Sequence, residues 1–445
     1  MTSAAPDWGT TTLPWCSFSV DDGSRRVGVG VGRSVLDVGA ALPWLADEVA
    51  DGTLDALLAH GPDRRDEVRR EVADLVGTRT DDLPLVPVAD ATLHLPWTVR
   101  DYVDFYASEH HAAAVGRLFR PGADPLPAAW KHLPIGYHGR AGTVVVSGTD
   151  VRRPSGQRRE PDGAVTFGPS TRLDLEAEVG FVVAGPATRG PLTLAEAEDR
   201  LFGVVLVNDW SARDLQAWEY VPLGPFLGKS FATSVSAWVV PMQALRHART
   251  APPPRDVPLL PYLDDTSVPA GALDLALEVR IDDEVVSRPP YRAMYWTPAQ
   301  MLAHLCVNGA SVRPGDLFAS GTVSGPARGE SGALIELTAN GAEPVVLRDG
   351  STRAFLHDGD EVTVSATAPG PDGGRVPCAS CSSTVVGRRR RSPCGAAPGP
   401  EGSGRWTVPT VRSASSVRGA VAPGTPRRRP RRAGRRRQPP PRGTR

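Results

Sequence analysis

The stretch that most limits how this chain can fold is an apolar run, Phe202 to Val207, that ends on an acid, Asp209, and then gives way to polar residues and a Pro/Gly loop. Residues 207–231 read VNDWSARDLQAWEYVPLGPFLGKSF. Arg213, Gln216, Tyr220 and Lys229 supply donors of four different geometries, spaced as a helical turn or two followed by a loop. Such a set suits an oxygen-rich substrate. A purely structural alternative makes Asp209 a helix N-cap, with Ser211 and Arg213 solvated in the first turn. Lys229 weighs against it. Lys229 and Lys131 are the only lysines in a chain that otherwise uses arginine, and a lysine kept there points to a need for a compact ammonium rather than a fork.

The 445 residues suffice for two or three domains with a buried core, and 40% hydrophobic content fits a soluble globular protein. There is no apolar stretch of about 18 residues, so no membrane span is expected. The N-terminus lacks a basic region followed by an apolar core, so no secretory signal is read and the cytoplasm is the expected compartment. Five scattered cysteines argue against a disulfide framework. Residues 1–96 alternate short β-like runs (Cys16 to Val20, Arg26 to Val31) with turns and give a helical pattern around Asp63 to Val76, as expected of a small β-rich domain. The run at Gly28 to Ser34 fails as a dinucleotide fingerprint, because Arg33 replaces the third glycine and no βαβ unit follows. A Pro-rich stretch, Asp82 to Pro96, reads as a linker.

Thr98 and Asp101 have the spacing of a capping box, which predicts a helix start. Continued, that helix would project Asp104 and His111 from one face, flanked by Tyr106 and His110, with Arg120 further on as a carboxylate anchor. A lone histidine on a helix is more often structural, but here an acid, a phenol and two imidazoles fall within eight residues. Tyr137, His138 and Arg140 sit at the opening of a large, irregular β-rich region. In Thr171 to Val183, apolar residues alternate with Arg172, Asp174, Glu176 and Glu178, which predicts a strand with one acidic face. Its two glutamates would lie about 7 Å apart, and their repulsion calls for solvent or a cation. Thr322 falls in a Gly/Ser loop, and Glu336 reads as an ordinary strand acid. Asp104, Glu176, Glu178 and Asp209 are hard oxygen ligands that, if they converge, favour Ca²⁺ or Mg²⁺.

The run NDWSARDLQAWEYVPLGPFLGKSF resembles the fumarylacetoacetase family, as do WKHLPIGYHGRAGTVVVSGTDVRRPSGQ, MYWTPAQMLAHLCVNGASVRPGDLFASGTVSG and FLHDGDEV. The resemblance extends from about Thr98 to Val364. It implies a mainly β fold with some α: an N-terminal SH3-like barrel over 1–96 and a large mixed β-rich catalytic domain over 97–375. It also implies a typically homodimeric hydrolase that splits fumarylacetoacetate into fumarate and acetoacetate at the end of tyrosine and phenylalanine breakdown. On that resemblance His111 matches the catalytic base, Glu336 its orienting partner, and Arg213, Gln216 and Lys229 the oxyanion surround. Tyr106, Arg120, Tyr137, Gln216, Tyr220 and Thr322 match substrate contacts, and Asp104, Glu176, Glu178 and Asp209 match metal ligands. His110 departs from the animal members, which carry glutamine there. Which of His110 and His111 titrates nearer neutrality is left open. A metal-dependent decarboxylase, isomerase or acylpyruvate hydrolase of the same superfamily is the alternative; such relatives generally lack the N-terminal domain and the WEYVPLGPFLGKSF run.

A net charge of zero hides two opposite parts. From Val376 onward there are 17 Arg, no Lys and one acid, Glu401, so the body is acidic and the tail basic. A nucleic-acid-binding tail is a reading from another class, weakened by the lack of aromatics beyond Trp406 and by the acidic body. Residues 376–445 contain no Leu, Ile, Phe, Tyr or Met and are expected to be a disordered extension or a reading-frame artefact. On that expectation the catalytic domain lacks its closing strand, and Cys378 and Cys381 pair by accident.

Overall fold

The computed structural model describes residues 7–78 and 82–387. The N-terminal part is a curled five-stranded sheet in the order Leu85–Pro87, Ser34–Asp37, Arg26–Val31, Trp15–Val20, Ala91–His94. Helix Pro62–Thr78 buries Val68, Val72 and Val76, the four-residue spacing that lines one helical face. The stretch read as a linker supplies two of the five strands. Pro87 is tolerated because its strand is at the edge.

The run Phe202 to Val207 lies within strand Leu201–Asn208, every residue of which is buried. It sits inside an eight-stranded sheet in the order Gly136–His138, Tyr102–Phe105, Leu317–Ala319, Ala177–Val183, Leu201–Asn208, Thr233–Val235, Val144–Val146, with Val240–Pro241 also paired to Leu201–Asn208. Val204 and Leu206 face the main catalytic core, whereas Phe202, Val205 and Val207 pack with Trp15, Val29 and Leu36 of the N-terminal sheet. Cover on both faces explains why the run does not alternate. Register then gathers the acids. Glu178 pairs with Val207, and Asp209 follows the end of that strand. Asp104 pairs with Ala319 on one side and Tyr137 on the other.

Two expectations for this region are corrected. No helix starts at Thr98: Tyr102–Phe105 is a strand, and the helix is Glu109–Phe119, capped by Ser108. The aromatic and β-branched sequence YVDF suits a pleat with neighbours on both sides, and that pairing overrides the cap signal. Asp104 and His111 therefore come from different elements. Glu336, read as a strand acid, stands on the short helix Leu334–Leu337.

A second sheet runs in the order Glu284–Ser287, Ala276–Ile281, Glu361–Pro369, Arg375–Val386, Val151–Arg152. The boundary at residue 375 and the missing closing strand are thus corrected, because Arg375–Val386 pairs along Glu361–Pro369. Its Cys381, Ser383 and Val385 are buried and alternate with less buried residues. Small and β-branched side chains fill a pleated face without any Leu or Ile. Residues 388–445, the remainder of the expected extension, lie outside the described residues. Among the described residues no helix is long and apolar enough to cross a membrane.

A chain ending at Gly387 is expected to keep the melting temperature of the full chain, while one ending at Arg375 exposes the Glu361–Pro369 edge and aggregates. Thermal melts and gel filtration of the two truncations check this; equal behaviour would remove the structural role of Arg375–Val386.

Candidate active site

The single strand expected over Thr171 to Val183 is broken: Asp174 ends the short strand Leu173–Asp174, Glu176 makes an isolated bridge to Ala333, and Glu178 lies in strand Ala177–Val183; all three acids are buried. Asp174 Oδ2 accepts from Arg213 Nε at 2.8 Å. Glu176 Oε1 accepts from Arg213 Nη2 at 2.7 Å, and its Oε2 accepts from Lys229 Nζ. Burial opposes ionisation of Glu176, but Arg213 and Lys229 outweigh it and hold the carboxyl far below the usual range. Burial likewise opposes the charge of Arg213 and Lys229, but Glu176 and Asp174 raise the pKa of Arg213, and Asp209 and Glu176 that of Lys229. Both cations stay charged.

Glu178 has no such partner. Among the described residues neither of its carboxylate oxygens has a hydrogen-bond partner, nor does Asp104 Oδ1. Asp104, Glu178 and Asp209 each present a carboxylate oxygen, all within 4.8 Å of one another. Burial first, then the neighbouring charge of Asp104, raises the Glu178 pKa well above the usual range; for Asp104 burial is followed by the charge of Asp209. Buried hard oxygens at this spacing, with Asp104 Oδ1 and both Glu178 oxygens orphaned, fit a Ca²⁺- or Mg²⁺-like cation. Glu176 stands apart from the trio, because Lys229 bridges its Oε2 to Asp209 Oδ2, the latter at 2.6 Å. Asp209 also accepts from Tyr137 Oη at 2.9 Å and Thr233 Oγ1 at 3.1 Å. It is not a helix cap, since Ala212 precedes helix Arg213–Glu219.

His111 lies in the first turn of its helix, where Ser108 Oγ accepts from its backbone N–H at 3.2 Å. Its Nδ1 is 2.7 Å from Glu336 Oε2, which also accepts from Ser324 Oγ at 3.0 Å. An ionised carboxylate only accepts, so this contact favours the tautomer with its proton on Nδ1, in which Nε2 has the free lone pair. Nε2 lies 3.8 Å from Glu176 Oε1. The Tyr106 ring stands edge-on to the imidazole, with centroids 5.5 Å apart. His110 does not line the cavity that His111 faces.

That cavity measures about 420 Å³. It is lined by Asp104, Tyr106, His111, Arg120, Tyr137, Glu176, Glu178, Arg213, Gln216, Tyr220, Lys229 and Thr322. Asp209 borders a smaller space of about 160 Å³ behind Lys229, and Glu336 stands behind His111. Gln216 Oε1 accepts from Arg213 Nη1 at 3.1 Å, Arg120 Nη2 donates to Pro125 O at 2.7 Å, and Thr322 Oγ1 is buried without a partner. Gly321, at φ +74°, passes so close to Phe105 that a Cβ would meet its carbonyl oxygen at 2.2 Å; only glycine brings Thr322 to the wall. A larger cavity of about 810 Å³, beside helix Pro62–Thr78, holds none of these residues. Chemistry rather than size marks the site.

Sequence reasoning passed over Asp174, Thr233, Ser108 and Ser324, each of which holds a site residue in place. Asp174 shares the alternation that singled out Glu176 and Glu178, so its signal was present. The two serines sit in ordinary cap and loop contexts and carry none.

Fold and site together fit a hydrolase-type enzyme centre. Residues 11–96 match the family model described as fumarylacetoacetase N-terminal, and 101–377 the one described as fumarylacetoacetate hydrolase C-terminal. The chain is 42% identical over 407 residues to the fumarylacetoacetase of Caenorhabditis elegans and to that of Homo sapiens, covering 85% of this chain and 96% of each relative. It belongs to the fumarylacetoacetase family. Among solved structures, a fumarylacetoacetate hydrolase from psychrophilic Exiguobacterium antarcticum is 17% identical with a TM-score of 0.50, covering 84% of this chain and all of that one, a likeness of fold.

A carboxyl whose pKa is raised on folding lends stability below its unfolded pKa and loses it as pH rises toward the folded value. In cation-free protein at pH 8, Glu178→Gln is therefore expected to raise the melting temperature by about 2 °C or more and to abolish the gain that Ca²⁺ gives the parent. Thermal melts with and without Ca²⁺ decide; a lower melting temperature with the Ca²⁺ gain intact would contradict the site.

Proposed function

We propose that this protein hydrolyses the carbon–carbon bond of fumarylacetoacetate, releasing fumarate and acetoacetate. The reading is carried by one juxtaposition: the under-compensated acids Asp104 and Glu178, a carboxylate-backed histidine and buried cationic donors border the same substrate-sized space, with Asp209 within 4.8 Å of the two acids. The two relatives at 42% identity, both fumarylacetoacetases, support it.

Asp104, Glu178 and Asp209 would hold Ca²⁺ or Mg²⁺, which supplies Lewis-acid polarisation of the diketone oxygens when bound. His111 Nε2 takes a proton from water, and the water oxygen attacks the carbonyl carbon on the fumaryl side. Glu336 steadies the imidazolium that forms. Lys229, Arg213 and Gln216, which line the cavity, would offer fixed donors to the developing oxyanion. The carbon–carbon bond then breaks, its electron pair passes to the acetoacetate carbon, and that carbon takes up a proton from His111. Arg120, Tyr106 and Tyr220 suit the carboxylate ends, and Thr322 Oγ1 has a free donor for the substrate. Tyr137, matched to a substrate contact, also tethers Asp209. We further propose a homodimer, supported by the exposed apolar side chains Val221, Leu223, Phe226 and Leu227 on one loop, of which Leu223 lines the cavity.

Purified protein is expected to consume fumarylacetoacetate, followed as loss of near-ultraviolet absorbance; no loss at saturating substrate would overturn the reading. His111→Ala should lower kcat by roughly 100- to 10,000-fold with little change in KM, the size of a general-base contribution. A variant with near-parental kcat would shift the base to His110. Removal of divalent ions by a chelator should abolish activity reversibly, with Ca²⁺ or Mg²⁺ restoring it better than Zn²⁺ at equal concentration. Full activity in verified metal-free protein would contradict the carboxylate trio's role.

A further inference from the structure

Asp174 has no place in the chemistry above, yet it is the most connected acid of the row. It is fully buried and does not line the cavity. Its Oδ1 accepts from the backbone N–H groups of Leu175 and Leu334, each at 2.8 Å. Its Oδ2 accepts from Ile335 N–H at 3.1 Å and from Arg213 Nε at 2.8 Å. With both oxygens so engaged, it is available neither as a metal ligand nor as a proton carrier.

What these four bonds join is informative. Leu334 and Ile335 open the short helix that carries Glu336, and helix-opening N–H groups lack intrahelical partners. Ala333, at the N-cap, offers no side-chain acceptor. Asp174 takes that place from another strand, so the helix that presents Glu336 to His111 Nδ1 is pinned by the same carboxylate that grips Arg213. Arg213 in turn reaches Glu176 and Gln216 at the cavity wall. Two halves of the site, the base side and the oxyanion side, meet through one buried side chain.

We propose that Asp174 is a positioning residue that fixes the Glu336–His111 pair relative to Arg213. This rests on the reading that both halves act on one substrate. Asn in its place has the same shape but one acceptor oxygen, and its NH₂ group faces N–H donors. Either Arg213 or the Leu334–Leu337 helix is then released.

Steady-state kinetics of Asp174→Asn, Glu336→Gln and the double variant test this, beside Ca²⁺ binding stoichiometry. The expected result is a fall in kcat of about 10- to 100-fold for Asp174→Asn, as for outer-shell partners generally, with KM and Ca²⁺ stoichiometry unchanged. The double variant should lose less than the product of the two single losses, because both act on the same pair. If Asp174→Asn is insoluble, Asp174→Glu keeps the charge, adds a methylene and must show the same pattern. Parental kcat, a rise in KM alone, multiplicative losses, or a parallel fall in Ca²⁺ stoichiometry would each overturn the proposal. Failure of the parent itself to turn over fumarylacetoacetate would instead sink the functional reading, and this inference with it.

Discussion

Burying an ionised carboxylate costs several kcal/mol unless it is paired, and this fold buries Asp174, Glu176 and Glu178 at alternate positions of one short stretch of chain. The compensation is graded along the row. Asp174 has Arg213 and three backbone N–H groups, and Glu176 has Arg213 and Lys229. Glu178 has nothing, and it lies beside Asp104 and Asp209. The chain's own cations thus pair with two of the three acids and leave the third, Glu178, without one, its pKa raised by burial and by Asp104. A site for a hard cation follows from that imbalance.

The rest of the architecture holds the imbalance in place. Strand Leu201–Asn208 is covered on one side by the N-terminal sheet and on the other by the catalytic core, so the Asp209 carboxylate at its end is 1% exposed with its residue. Pairing of Ala177–Val183 with both Leu201–Asn208 and Leu317–Ala319 fixes which way Glu178 points, since a slip of one residue would turn it to the opposite face; Asp174 is set by its own pairing with Ser211 and Glu176 by its bridge to Ala333. Lys229 suits its post because a compact ammonium reaches Glu176 and Asp209 at once. The loop that delivers it also forms part of the apolar rim of the cavity.

Much of this was legible from the chain. Alternation in Thr171 to Val183 placed Glu176 and Glu178 on a common face, and the rare lysine marked Lys229. The helix Pro62–Thr78 and strand Arg26–Val31 followed from their periodicity. Other elements were hidden by long-range pairing. The capping signal at Thr98 lost to two neighbouring strands, and Glu336 took its helix from a cap supplied by Asp174, 160 residues away from Leu334. The closing strand Arg375–Val386 was missed because its buried face is made of Cys, Ser and Val rather than large aliphatics. Glu176 was grouped with the metal ligands by resemblance, and only the side-chain geometry reveals how Arg213 and Lys229 occupy it.

The graded compensation of the acid row is tested most directly by a crystal structure of the protein grown with Ca²⁺, using anomalous scattering to locate the ion. The account predicts one buried calcium with oxygens of Asp104, Glu178 and Asp209 at about 2.3–2.6 Å, and Lys229 still bound to Glu176. A cavity without calcium at saturating concentration, or an ion held by other residues while Glu178 stays unliganded, would contradict it.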